Sequence, residues 1–264
     1  MSAGAAVPTM VLTFVGHSTV LLELGGRRVL TDPLLRRHAG PLLRRGPSPH
    51  GGVYRDLDAV IISHAHIDHL DAPSLRLVAK TTPVLAPLAT GRLLRRLGFA
   101  DVTEMEAGQS RDLGGVRITA TPARHGGARH PLAAEGDPLG FVVRGSLSAY
   151  FAGDTGLFDE MQGFSDGLDV ALLPVGGWGP RLPDDHLNPL TAAKALGLLR
   201  PAVAVPIHWG TMYAPWLPPA VNARFTEWPR AFVRYAAHLA PSVDVRVLEP
   251  GQTTVVEARV PGGG

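Results

Sequence analysis

Short apolar runs alternate with polar, turn-rich stretches along the whole chain. Residues 10–14, 19–24 and 27–31 read as three strands, the last two joined at Gly25-Gly26 in a hairpin. Residues 59–62 form a continuous apolar run rich in β-branched side chains, the pattern of a buried strand. Residues 168–174 and 202–207 are further continuous apolar runs, and shorter strands are expected at 83–86, 102–105, 116–121, 140–143, 149–152, 243–248 and 253–258. Helices are predicted over 71–79, with Asp71 as cap and Pro73 in the first turn, and over 88–97, closed by Gly98. A third runs from Pro189 to Arg200 between the N-cap Asn188 and the stop Pro201, and a last one covers 221–238. The segment from Asp32-Pro33 through Gly52 is too polar and turn-rich for a core element. No linker and no repeat of fixed period divides the sequence. The pattern predicts one domain over residues 1–264, α/β in class: a four-layer αββα sandwich with two sheets face to face and helices outside.

Composition narrows the chemistry. The 264 residues include no cysteine, so any metal must be held by nitrogen and oxygen, and a cytoplasmic location is expected. No signal-peptide pattern and no bilayer-length apolar run is visible. The net charge of +2 does not point to nucleic acid, although Arg36, Arg37, Arg44 and Arg45 cluster around Pro41. A solvated loop is the favoured reading of that cluster, and an anion-steering patch the other.

The stretch Ser63-His64-Ala65-His66-Ile67-Asp68-His69 directly follows the 59–62 strand. Neutral imidazole and carboxylate are the usual ligands of zinc and similar ions. Chance would place H-x-H-x-D-H in roughly one such chain in a thousand. Three further candidates each follow an apolar strand: His125, Asp154 and His208. His130 rivals His125, which stands closer to its strand. Ligands presented from strand ends are held rigidly, which suits a metal centre.

These residues, with Gly16-His17-Ser18-Thr19, Leu30-Thr31-Asp32-Pro33, Thr121-Pro122-Ala123-Arg124-His125, Gly153-Asp154-Thr155-Gly156 and Ile207-His208-Trp209-Gly210-Thr211, resemble the metallo-β-lactamase fold superfamily. Within it they are most similar to the N-acyl-phosphatidylethanolamine phospholipase D branch, and more distantly to L-ascorbate-6-phosphate lactonase. The resemblance spans residues 14–211 and implies two divalent ions, Zn2+ with Mn2+ as the alternative. His64, His66 and His125 would bind one, Asp68, His69 and His208 the other, with Asp154 bridging. Two such ions stand about 3.5–4 Å apart, and a bridging water loses its proton near neutral pH to become the nucleophile.

Metal-bound histidines usually donate their other N–H to a carboxylate or carbonyl, a role for which Asp32 is a candidate beside a plain turn aspartate. His17 lines the site floor or is a satisfied core histidine. His186 is a candidate general acid, alongside the plain reading of a loop histidine. Asp68 is a catalytic as well as a metal-ligating candidate. Trp209, with Trp178, Tyr213 and Trp216, is a candidate substrate wall. The reading favoured is a dinuclear hydrolase of phosphodiesters, with a small-molecule or lipid-like anionic substrate. A sugar-phosphate lactonase is the alternative enzyme, and a non-catalytic, metal-containing nucleic-acid-binding protein the alternative of another class. No nucleic-acid partner is expected, and residues 212–219 would supply peripheral membrane contact at most.

Overall fold

The computed structural model describes residues 7–126, 136–177 and 182–258. Two seven-stranded sheets carry the fold. The first runs in the order Thr253–Glu257, Thr9–Gly16, Thr19–Leu24, Arg27–Thr31, Ala59–Ile61, Val84–Pro87, Val102–Met105, antiparallel up to Arg27–Thr31 and parallel beyond it. The second runs Asp244–Val245, Val203–Ile207, Val170–Pro174, Ser148–Phe151, Leu139–Arg144, Arg117–Pro122, Ser110–Asp112. Its first four strands are parallel and the rest antiparallel.

Side chains alternate across a strand, and the first sheet uses both faces. Met10, Leu12, Phe14, Leu22, Ala59 and Ile61 turn into a core shared with Ile118, Phe141, Phe151 and Leu172 of the second sheet. Their neighbours Val15, Leu21, Val60 and Ile62 turn the other way, against Leu75, Leu93 and Leu94 of two short helices. Burial on both faces explains why residues 59–62 are continuously apolar. Beyond the second sheet, the helices Pro189–Leu199 and Trp228–Leu239 pack on each other, the first also on strand Val170–Pro174. Helices therefore flank a pair of sheets, the αββα order expected.

Several elements are shorter than their sequence pattern. The helix at 71–79 is only Ala72–Leu75, capped by Asp71, whose side chain accepts from Ser74 N. The helix at 88–97 shrinks to Gly91–Arg96, and the strand at 243–248 to Asp244–Val245. The helix at 221–238 is two helices, Pro219–Arg224 and Trp228–Leu239. Pro229 lacks an N–H and so fits only a first turn, where the second helix places it. Pro189–Leu199 has the predicted Asn188 cap, and Arg200 ends it in the left-handed region at φ 47°. The stretch 32–52 is not a plain loop. It holds the strands His38–Ala39 and Leu42–Arg44, which pair with each other, Leu42–Arg44 also pairing with Met212–Tyr213, and Leu34, Ala39 and Leu42 are buried there. No helix among the described residues is long and apolar enough to cross a membrane.

Candidate metal centre

The site lies where strands of the two sheets end. Strand Ala59–Ile61 leads through Ile62 and Ser63 to His64, Arg117–Pro122 leads to His125, Ser148–Phe151 to Asp154 and Val203–Ile207 to His208. Gly153 lets the two sheets meet here. It sits at φ 60°, and a Cβ on it would stand 2.5 Å from Ser63 Cβ. Three side-chain-bearing residues of the centre also have left-handed backbone: His17 at 60°, Asp32 at 31° and His208 at 58°. Such conformations are costly and persist only where surroundings enforce them. The amide of His208 donates to His17 O at 2.8 Å and that of Asp32 to Ile61 O at 2.9 Å, which holds these turns in place.

Ligand-type atoms converge in four overlapping groups, the two larger being His64, His66, His125 and Asp154, and His17, Asp68, His69 and His208; Asp32, His64 and His69, and Asp154, His186 and His208, form the others. Around a tetrahedral ion with bonds of 2.0–2.1 Å, neighbouring ligand atoms stand about 3.3 Å apart. His66 Nδ1 lies 3.3 Å from His125 Nε2 and 2.8 Å from His64 Nε2. In the second group His69 Nε2 and His208 Nε2 are 3.2 Å apart. Asp154 Oδ2 is 3.3 Å from His69 Nε2, 3.2 Å from His208 Nε2 and 4.0 Å from His125 Nε2, so it stands between the groups. Asp68 Oδ2 lies 3.8 Å from His69 Nε2 and 3.7 Å from His208 Nε2. Asp154 Oδ1 is buried and meets no hydrogen-bond donor among the described residues. A buried carboxylate oxygen left so is expensive, and a cation beside it removes the cost. The donor set therefore fits two ions.

The ring nitrogens facing away from the cluster are held as metal-binding histidines require. Asp32 Oδ2 accepts from His69 Nδ1 at 2.7 Å and from Ser63 Oγ, while Oδ1 accepts from Ser63 N at 2.7 Å. Ser63 Oγ in turn lies 2.9 Å from His64 Nδ1. One buried carboxylate thus orients a histidine of each group. His208 Nδ1 and His125 Nδ1 face the carbonyls of Gly176 and Asp185 at 3.0 and 3.1 Å. His17 lies beside the second group. Its Nε2 is 2.8 Å from Asp68 Oδ2 and its ring lies tilted against that of His208, centroids 3.9 Å apart.

Charge is divided unevenly. Burial pushes His17 down to about 3 and His66 to about 4, and holds His64 well below the usual value. Burial pushes His69 and His208 down as well, but Asp154 and Asp68 outweigh it, raising His69 well above the ordinary range and His208 to about 9. The carboxylates mirror this. Burial opposes their ionisation, yet the histidines hold both well below their usual range, His69 leading for Asp68 and His208 for Asp154.

His186 is buried, with Nε2 3.2 Å from Asp154 Oδ2 and Nδ1 3.0 Å from Leu187 O, nearer the centre than a loop histidine would be. Trp209 points elsewhere. Its ring packs on Phe14 with centroids 6.0 Å apart, and its Nε1 donates to Pro206 O, so it takes no part in the histidine cluster. Of the other aromatic candidates, Tyr213 lies in the small sheet, Trp216 is 55 % exposed, and Trp178 lies outside the described residues, as does His130. The sequence reading did not include Ser63, the hydroxyl relay between Asp32 and His64. Its signal was adjacency to the histidine run, which any serine there would share.

The sequence profile described as a Beta-lactamase superfamily domain matches residues 27–209. A UPF0173 metal-dependent hydrolase of Opitutus terrae is 35 % identical over 257 residues, covering 94 % of this chain and all of the relative. An N-acyl-phosphatidylethanolamine-hydrolyzing phospholipase D of Caenorhabditis elegans is 34 % identical over 226 residues, covering 75 % of this chain and 63 % of the relative. Among solved structures, Igni18, a metallo hydrolase of Ignicoccus hospitalis, is 27 % identical with a TM-score of 0.71, covering 95 % of this chain and 100 % of that one.

Proposed function

The chain belongs to the metallo-β-lactamase superfamily, as a metal-dependent hydrolase, and on that premise we propose that it is a dinuclear phosphodiesterase. The observation that carries the two-ion reading is the position of Asp154 between two groups of imidazole nitrogens at ligand spacing. The phosphodiester reading is supported by the 34 % identity to the phospholipase D. His64, His66 and His125 would hold the first ion and Asp68, His69 and His208 the second, with Asp154 placed to serve both. When bound, zinc or manganese supplies Lewis acidity toward a phosphoryl oxygen and an activated water.

The protein's own groups set the geometry of the reaction. Asp32, through His69 directly and through Ser63 to His64, fixes the tautomer that each ring adopts when neutral, in which Nε2 is free of hydrogen and directed inward. His17 holds the Asp68 carboxylate from the opposite side. His186 has an oxygen against each ring nitrogen, Asp154 Oδ2 at Nε2 and Leu187 O at Nδ1. We assign it the proton delivered to the leaving alkoxide oxygen. His66 and His125 are only partly buried, which leaves the first group open to an anionic substrate.

Bis(p-nitrophenyl) phosphate turnover by protein reconstituted with zinc or manganese tests this. Metal-dependent release of p-nitrophenol is expected. No turnover by protein that carries two ions would remove the phosphodiesterase assignment, and opening of a sugar-phosphate lactone by the same preparation would replace it.

A further inference from the structure

The arginines at 36–45 are not absorbed by the metal centre, and the structure separates them. Arg36 forms a two-point bridge to Asp71 at 2.7 and 2.8 Å. Arg44, only 3 % exposed, and the half-buried Arg45 instead line a cavity of about 770 Å³. Among the described residues, every other buried or half-buried arginine meets a carboxylate: Arg27, Arg28, Arg36, Arg111 and Arg246. Arg44 and Arg45 meet none within 4 Å. The Arg44 guanidinium donates to the carbonyls of Val15, Leu34 and Arg36. Arg45 donates to Asn222 O at 2.9 Å and lies 5.3 Å over the Tyr213 ring.

Carbonyl oxygens satisfy donors without neutralising charge. Burial lowers Arg44 only to about 10, so it stays cationic at neutral pH. A cation so far out of water is costly without a counter-charge. The acids on the lining do not supply one, since Glu227 faces Arg230 at 3.4 Å and Glu249 is exposed. The remaining wall combines apolar Val15, Val53, Trp209 and Pro229 with polar Thr13, Ser48, His50, Thr226 and Arg230. The cavity is distinct from the small hollow lined by His64, His66 and His125, but shares two turns with the centre, as Val15 leads to Gly16-His17 and Trp209 follows His208.

We propose that this cavity binds a small organic anion, one oxyanion group on an apolar body, with the oxyanion on Arg44 and Arg45. Guanidinium forks suit phosphate, phosphonate and carboxylate oxygens, and the volume admits a ring-sized body. Phenylphosphonate is the probe, because its P–C bond resists hydrolysis. Titrated calorimetrically into metal-loaded protein, it should bind at a site that persists in Arg45→Met only with affinity reduced at least about tenfold. Arg45→Lys should retain part of the affinity, and both variants should keep their metal content and turnover. Binding unchanged in Arg45→Met, or binding that disappears with the metal and follows nothing else, would overturn the proposal. So would the absence of any site for the probe beyond the metal centre.

Discussion

Replacing Asp32 by asparagine keeps the size of the side chain and tests how one buried carboxylate serves both halves of the centre. Asp32 is fully buried and accepts three hydrogen bonds, two of them at Oδ2 from His69 Nδ1 and Ser63 Oγ. In Asp32→Asn the amide oxygen can keep Ser63 N, but an NH2 then faces His69. The bond survives only if His69 gives up its Nδ1 proton and carries it on Nε2, the nitrogen that would face the second ion. His64 is one hydroxyl further away and suffers less. Loss of such an orienting partner typically costs 10–100-fold in metal affinity, about 1.4–2.7 kcal/mol. The expected outcome is selective: the ion held by Asp68, His69 and His208 weakens by that factor, while the His64, His66, His125 ion weakens much less. Competition against a chromophoric chelator, with metal counted by mass spectrometry after dialysis, reads both sites, and circular dichroism checks that the fold is kept. Two ions retained with affinities within about twofold of the parent would refute the tautomer argument.

Metal binding should also release protons. His69 and His208 are raised by Asp154 and Asp68 and so carry protons at pH 7, whereas ligation needs neutral rings. Calorimetry in buffers of different ionisation enthalpy should find up to about two protons released at pH 7, falling as pH rises through about 9 for His208, with affinity lost on acidification; release independent of pH would contradict the charge division. Asp154→Asn should lower turnover more than about 100-fold and reduce the metal content, because both groups share that carboxylate; full metal content with parental turnover would count against a shared ligand. Phe141→Ala, at a fully buried position between the sheets, should destabilise by about 3–5 kcal/mol in urea unfolding, with a loss under 1 kcal/mol refuting its core role. Asn188→Ala should cost about 1 kcal/mol through the lost cap of Pro189–Leu199, and an unchanged midpoint would contradict it.

The strands around the centre were legible because their apolar runs record burial on both faces, as at residues 59–62. The His64–His69 stretch declared its chemistry through density of ligand types, and His125, Asp154 and His208 through position after a strand. Elements whose limits depend on neighbours were not legible. Residues 221–238 have helical composition throughout, and only the placement of Pro229 in a first turn divides them. Residues 32–52 read as polar loop because their pairing partner, Met212–Tyr213, is some 170 residues distant.

Sequence alone thus determined the class of fold and which side chains are chemically able to hold metal, since both follow from local periodicity and residue type. It left His17, Asp32 and His186 ambiguous and set Trp209 beside its neighbour His208. Tertiary structure supplied their surroundings, because what a side chain touches depends on what the other sheet brings against it. Asp32 became the orienting carboxylate when the turn after Arg27–Thr31 met Ser63 and His69, and Trp209 a packing residue when its ring found Phe14. The arginines at 36–45 were likewise sorted by partners distant in sequence. Asp71 claimed Arg36, and no acid claimed Arg44 or Arg45.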